Sequence, residues 1–147
     1  MLVNVNAPVR ASGEIEIAAD PEVVWEVLAR IEEWPNWNPD VKAVSLNGEV
    51  TEGTSFQWKS GPGSINSTFR QVDRPRVLAW TGKTLGIRAI HVWRVEPKND
   101  HSIVTSDESW EGLLPRAFRH QLQKMLEKAV HTGPLHLKAE AERRSNV

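Results

Sequence analysis

Two side chains, His91 and Glu108, carry more potential chemistry than any other pair in the sequence. Between residues 87 and 96 the chain alternates, with Ile87, Ala89, His91, Trp93 and Val95 on one face and Arg88 and Arg94 on the other. The first set is the more apolar, so a strand here points His91 inward. Between residues 102 and 111, Val104, Ser106, Glu108 and Trp110 share a face against Thr105, Asp107, Ser109 and Glu111. If the two strands are neighbours, His91 and Glu108 meet in one apolar pocket. A histidine oriented by a carboxylate can act as a general base for an aldol-type cyclisation or a dehydration. The pair can instead orient the polar end of a mostly apolar ligand, and we prefer that reading. The plainer alternative is a buried histidine satisfied by one hydrogen bond, with a glutamate in water at the pocket mouth.

The same parity argument supplies walls for the pocket. Phe56 with Trp58 and Leu78 with Trp80 are inward pairs on the middle strands, and Phe69 belongs to the strand between them. Phe118 and Leu122 join them from the apolar face of the last helix. The chain holds seven tryptophans, three phenylalanines and no tyrosine. Singly such rings are ordinary core; spread over helices and strands they also suit an aromatic-walled pocket for an apolar ligand.

Other chemistries find little support. Cysteine is absent, which removes disulfides, thiolate metal sites and a cysteine nucleophile. His120, His131 and His136 are not at metal-ligand spacing, and His131 and His136 lie either side of Pro134. No metal or other cofactor is expected. Gly82 and Gly86 sit outside any phosphate-loop pattern, and no Gly-x-Ser-x-Gly elbow exists for a hydrolase.

A chain of 147 residues with 39% hydrophobic and 25% charged side chains suits one domain with one sizeable core. A net charge of −1 offers no electrostatic footprint for nucleic acid or an anionic membrane. No apolar run approaches the roughly 20 residues of a spanning helix, so no membrane insertion is expected. The N-terminus lacks a basic-then-apolar secretory pattern, and a cytoplasmic location follows as the expectation.

The elements that must hold these side chains can be read in order. Residues 1–11 form a loose lead-in, 12–142 the domain and 143–147 a charged tail. Ser12 to Ala18 alternates as a half-buried strand, with Ile15 and Ile17 inward. Asp20-Pro21-Glu22 starts a helix by capping, preset φ and dipole. Val24, Trp25, Leu28 and Ile31 form its apolar stripe. The segment Glu33-Trp34-Pro35-Asn36-Trp37-Asn38-Pro39 ends it and favours a short helical turn. Six strands then follow at Val41 to Leu46, Thr54 to Lys59, Ser64 to Val72, Val77 to Gly82, Ile87 to Glu96 and Ser102 to Glu111, an antiparallel meander by its turn residues. Leu114, Phe118, Leu122, Met125, Leu126 and Ala129 then repeat every three or four residues as one helical face, which Leu137 and Ala141 resume. Pro134 is expected to break or bend this helix. Trp25 and Phe118 are both expected to be buried. The resulting α+β fold is a curved seven-stranded antiparallel sheet wrapped around a long C-terminal helix, with one or two short helices between strands 1 and 2.

The stretch Ile15-Glu16-Ile17-Ala18-Ala19-Asp20-Pro21-Glu22-Val23-Val24-Trp25 resembles the opening strand and helix of the START-like (helix-grip, SRPBCC) superfamily. Trp34-Pro35-Asn36-Trp37-Asn38-Pro39-Asp40-Val41 resembles the Trp-rich turn that follows, and Pro75-Arg76-Val77-Leu78-Ala79-Trp80 and the Glu108 to Gly112 strand end also fit. The closest likeness is to the polyketide cyclase/dehydrase and lipid-transport branch. It implies an enclosed hydrophobic ligand (a lipid, polyketide or other apolar aromatic molecule) held by a carrier or sensor. It equally admits a metal-independent cyclase, aromatase or dehydratase using His91 and Glu108, or a protein-interaction domain of the co-chaperone, heat-shock ATPase-activating type. The loop Ser60-Gly61-Pro62-Gly63-Ser64 stands where plant abscisic-acid receptors of this superfamily carry a mobile gate, and is otherwise a plain hairpin loop.

Overall fold

In the computed structural model, which describes residues 1–61 and 63–146, the chain forms a seven-stranded sheet and a set of helices against one of its faces. The strands are β1 (Val9–Ile17), β2 (Val41–Leu46), β3 (Ser55–Ser60), β4 (Gly63–Asp73), β5 (Val77–Thr84), β6 (Ile87–Lys98) and β7 (His101–Glu111). Their spatial order is β1-β7-β6-β5-β4-β3-β2, antiparallel throughout. The meander therefore runs across the sheet, and β1 closes against β7. This is the helix-grip arrangement expected from the strand and turn pattern.

Helix α1 (Pro21–Ala29) begins as its sequence dictates: the Asp20 carboxylate accepts from the Glu22 amide at 3.0 Å, with Pro21 in the first turn. It buries Val24, Trp25, Val27 and Leu28. A 3-10 turn at Ile31–Glu33 leads into the short helix α2 (Trp34–Trp37), where the Trp34 indole donates to the Leu28 carbonyl at 2.9 Å. That bond fastens the Trp-rich turn to α1.

A bulge in β4 between Phe69 and Gln71 leaves Arg70 without a partner on β5 and brings Val72 opposite Leu78. The extra residue keeps both Phe69 and Val72 on the core side. The other face of the sheet is not bare. Residues before β1 cross it, with the Asn4 amide donating to Ser109 Oγ at 3.1 Å and Arg94 donating to the Met1 carbonyl at 2.6 Å. Ala79, Val92 and Ser109 are buried on that side.

The C-terminal helical region differs from its sequence reading in two respects. It breaks at Phe118 (φ −121°, ψ 42°), between α3 (Leu113–Ala117) and α4 (Arg119–Ser145). At Pro134, where a break or a bend was expected, α4 is not broken and runs on in helical conformation. Pro134 cannot donate to the Val130 carbonyl one turn earlier. That carbonyl lies so close to Gly13 of β1 that a Cβ added there would collide with it. A glycine in the strand thus accommodates the carbonyl that the proline leaves without its usual donor.

The second difference is in burial. The buried stripe of α4 is Leu126, Val130, Pro134, Leu137 and Ala141. Phe118 is 50% exposed and Met125 54%, so the expectation of a buried Phe118 is corrected. Leu126, Leu137 and Ala141 of the expected face are buried, with Val130 and Pro134 beside them, while Phe118 and Met125 at its start face solvent. Trp25, the matching expectation on α1, is buried at 4% exposure.

Candidate functional site

Register decides which side chains share the concave face. One row across β4 to β7 runs Phe69, Trp80, His91, Glu108, each directly opposite the next. The row beside it runs Leu78, Trp93, Ser106, and that on the other flank Phe56, Ser67, Gly82, Ala89, Trp110. Directly opposed residues have side chains close enough to touch.

His91 Nδ1 lies 3.1 Å from Glu108 Oε1, and His91 Nε2 lies 2.8 Å from Ser106 Oγ. The other Glu108 oxygen accepts from the Trp110 indole at 2.7 Å. Burial pushes the His91 imidazole below its ordinary value, against the opposing pull of Glu108 and Asp107. A neutral ring fits these contacts: Nε2 accepts from the Ser106 hydroxyl, and Nδ1 lies beside the Glu108 carboxyl. Serine, histidine and glutamate thus follow in the order of a nucleophilic relay. Ser106, however, is 0% exposed, so its oxygen reaches no substrate. Two hydrogen bonds, Ser106 to His91 and Trp110 to Glu108, flank the His91–Glu108 contact, and that pair faces open space.

That space is a cavity of about 110 Å³ bounded by the sheet, the Trp-rich turn and α4. Trp58, Trp80, His91, Trp93 and Glu108 supply the sheet wall. Trp34, Trp37, Asn38 and Asp40 supply the turn wall, and Ala129, Thr132 and Gly133 the helix wall. The rings form a continuous set: Trp34 to Trp58 at 5.6 Å, Trp34 to Trp80 at 5.4 Å, Trp80 to His91 at 4.8 Å, and His91 stacked on Trp93 at 5.2 Å. Edge and offset contacts of this kind are favourable and stiffen the wall.

The remaining expected pocket residues stand elsewhere. Phe56, Phe69 and Leu78 are fully buried and support the wall from within the core. Ser106 sits behind His91. Trp110 and Leu122 pack against a second cluster formed by Val9, Leu126 and Val130. Ala89 borders an open depression of about 590 Å³ whose rim carries Arg70, Lys83, Arg88 and Glu111, outside the aromatic cavity. Phe118 faces solvent and is corrected as a wall residue. No group of three or more metal-ligating side chains stands together among the described residues.

Trp34, Trp37 and the small helix residues were missed by the parity argument, which speaks only about strands. The turn itself was legible, since Trp34 and Trp37, beside Pro35 and Pro39, must pack on something. The helix signal was the run of small residues, Ala129, Thr132 and Gly133, on the face that cannot close against bulky indoles. The Ser60 to Ser64 loop contains Pro62, which lies outside the described residues, so the gate expectation is not addressed by the geometry.

Comparison with known proteins places this architecture. Residues 8–142 match the family model described as polyketide cyclase/dehydrase and lipid transport. No curated protein sequence matches. Among solved structures, the chain is similar to the Zhui aromatase/cyclase from Streptomyces sp. R1128, with 20% identity and a TM-score of 0.77, covering 92% of this chain and 94% of that one. A protein from Thermus thermophilus gives 16% identity and a TM-score of 0.80, covering 92% and 99%. A START superfamily protein from Mycobacterium smegmatis gives 18% identity and a TM-score of 0.70, covering 93% and 97%. At these identities the likeness is one of fold.

Proposed function

The chain belongs to the polyketide cyclase/dehydrase and lipid-transport family, and on that premise we propose that it binds a small hydrophobic ligand in the aromatic cavity, as a carrier or sensor. The observation that carries this reading is the cavity wall: five indoles, those of Trp34, Trp37, Trp58, Trp80 and Trp93, surround the His91–Glu108 pair. Apolar walls with a few placed polar groups are how small-molecule sites combine affinity with orientation. Its volume of about 110 Å³ is below the roughly 300–1,000 Å³ of drug-sized sites. An apolar cavity of about 150 Å³ takes benzene. The cavity as it stands is smaller than both, so a single ring needs the wall to give slightly, and a larger lipid or polyketide requires the Trp-rich turn to move outward.

Binding is favoured over catalysis by the contacts of His91. Its Nε2 is bonded to Ser106 and its Nδ1 lies 3.1 Å from the Glu108 carboxyl, so neither nitrogen stands clear to take a proton from a bound molecule. Orientation of a polar group by the Glu108 carboxyl needs no rearrangement. A second reading, a metal-independent cyclase or dehydratase, draws on the neutral imidazole held by a carboxyl and requires Ser106 to release Nε2 first.

Native mass spectrometry of the protein purified from cells tests the leading reading: a retained small molecule is expected, and a co-purifying protein instead would favour the co-chaperone type. His91→Ala then separates the two cavity readings. It weakens ligand binding by about 1–3 kcal/mol if the residue orients, and abolishes turnover while binding survives if it is a base.

A further inference from the structure

We propose that the ligand of this cavity carries a neutral oxygen acceptor, a ketone, aldehyde or ester carbonyl, that takes the indole N–H groups of Trp37 and Trp93. This rests on the reading that the cavity binds an apolar molecule and assigns the polar part of that molecule. Trp34, Trp58 and Trp110 each donate to a protein acceptor, namely the Leu28 carbonyl, Ser67 Oγ and Glu108. Trp37 and Trp93 do not: their indole nitrogens are buried, sealed from water and without a hydrogen-bond partner among the described residues. Trp93 is 6% exposed. Both residues line the one aromatic cavity. Buried donors left unpaired are rare in native proteins, and each retains its full desolvation penalty until an acceptor arrives.

No acceptor of the wall reaches them: Asn38, Asp40 and Glu108 line the same cavity, yet neither indole nitrogen has a hydrogen-bond partner among the described residues. The acceptor that pairs them is therefore assigned to the incoming molecule. The charge of that acceptor follows from the same wall. Asp40 and Glu108 line the cavity, and the described lining residues include no lysine or arginine. A carboxylate or phosphate ligand would meet two carboxyls and no compensating cation, whereas a carbonyl oxygen meets two free donors at no such cost. Both nitrogens are covered in this conformation, so the carbonyl reaches them only when the wall moves; Trp37 sits on the four-residue helix α2, and the Trp93 ring lies near Gly133, which carries no side chain.

The test follows the indole N–H signals in ¹⁵N-labelled protein, with Trp37 and Trp93 assigned through Trp37→Phe and Trp93→Phe. Three one-ring probes are titrated: acetophenone, isopropylbenzene, which matches its shape without the oxygen, and benzoate. Acetophenone is expected to move both indole signals downfield, isopropylbenzene to bind without doing so, and benzoate to bind weakest. Each Trp→Phe change is expected to lower the acetophenone-to-isopropylbenzene affinity ratio by roughly tenfold, the yield of one hydrogen bond. If both neutral probes bind but the ratio and the two signals are unmoved, the acceptor assignment is overturned and the cavity reading stands. Benzoate binding tightest overturns the neutral class. Failure of every probe to bind overturns the cavity reading and this inference with it. The wild-type signals alone decide the matter should a variant not fold.

Discussion

The two halves of helix α4 carry similar apolar periodicity and have opposite fates. From Leu126 to Ala141 its stripe is buried against β1 and α1, with Leu137 and Ala141 at 0% exposure. From Phe118, at its N-cap, to Met125 the apolar residues advance by the same steps, yet Phe118 and Met125 face solvent. The docked half meets the sheet at Gly13, where the missing side chain lets the Val130 carbonyl approach. Opposite the cavity the helix presents Ala129, Thr132 and Gly133 to the indoles, while in the opening turns Leu122 packs against Val9, Leu126 and Val130 and Gln123 bonds the Arg10 backbone, leaving Phe118 and Met125 on the outer side. Periodicity fixes that a helix forms; which of its stripes is covered depends on what the sheet offers opposite.

The sharpest way to break this comparison is in the docked half. Leu137→Ala should destabilise by about 2–5 kcal/mol, the cost of a buried leucine and the cavity it leaves. Denaturant melts measure it, and an unchanged midpoint would mean that this half is not docked as described. Gly13→Ala should come next, at roughly 1–3 kcal/mol, because the new methyl must displace the Val130 carbonyl and the helix with it. A neutral Gly13→Ala would deny that the strand glycine and the helix proline work together.

The pH dependence probes the cavity, which the docked half lines through Ala129, Thr132 and Gly133. His91 titrates lower in the folded chain than in the unfolded one, whose ordinary value is about 6.5. The unfolded state therefore binds the proton first, and stability present above about pH 6.5 is lost progressively as the pH falls below it. Thermal melts between pH 8 and 5 should show this decline, and His91→Gln should reduce its slope. An identical slope in the variant would show that His91 is as easily protonated in the folded state.

The smallest effect belongs to the exposed half. Phe118→Ala should change stability by no more than about 0.5 kcal/mol, since the ring has little burial to lose. A loss comparable with that of Leu137→Ala would erase the distinction between the two halves altogether.

Local rules were enough to set out the strands, their order in the meander, the α1 start and the inward parity of His91, Trp93, Glu108, Trp58 and Trp80. Those rules are alternation of period two, turn residues, and a capping aspartate before a proline. Two neighbouring strands with known inward faces put His91 and Glu108 in one pocket; the register that sets them directly opposite came from the fold. Long-range packing settled the rest. It chose among the stripes of α4, carried the helix through Pro134 with Gly13 opposite, and brought the Trp-rich turn over the cavity so that Trp34 and Trp37 became walls. It also engaged both nitrogens of His91, through a Ser106 contact two residues from the expected partner. Each of these depends on elements far apart in the chain meeting in space, and a period read along the chain carries no record of what lies across from it.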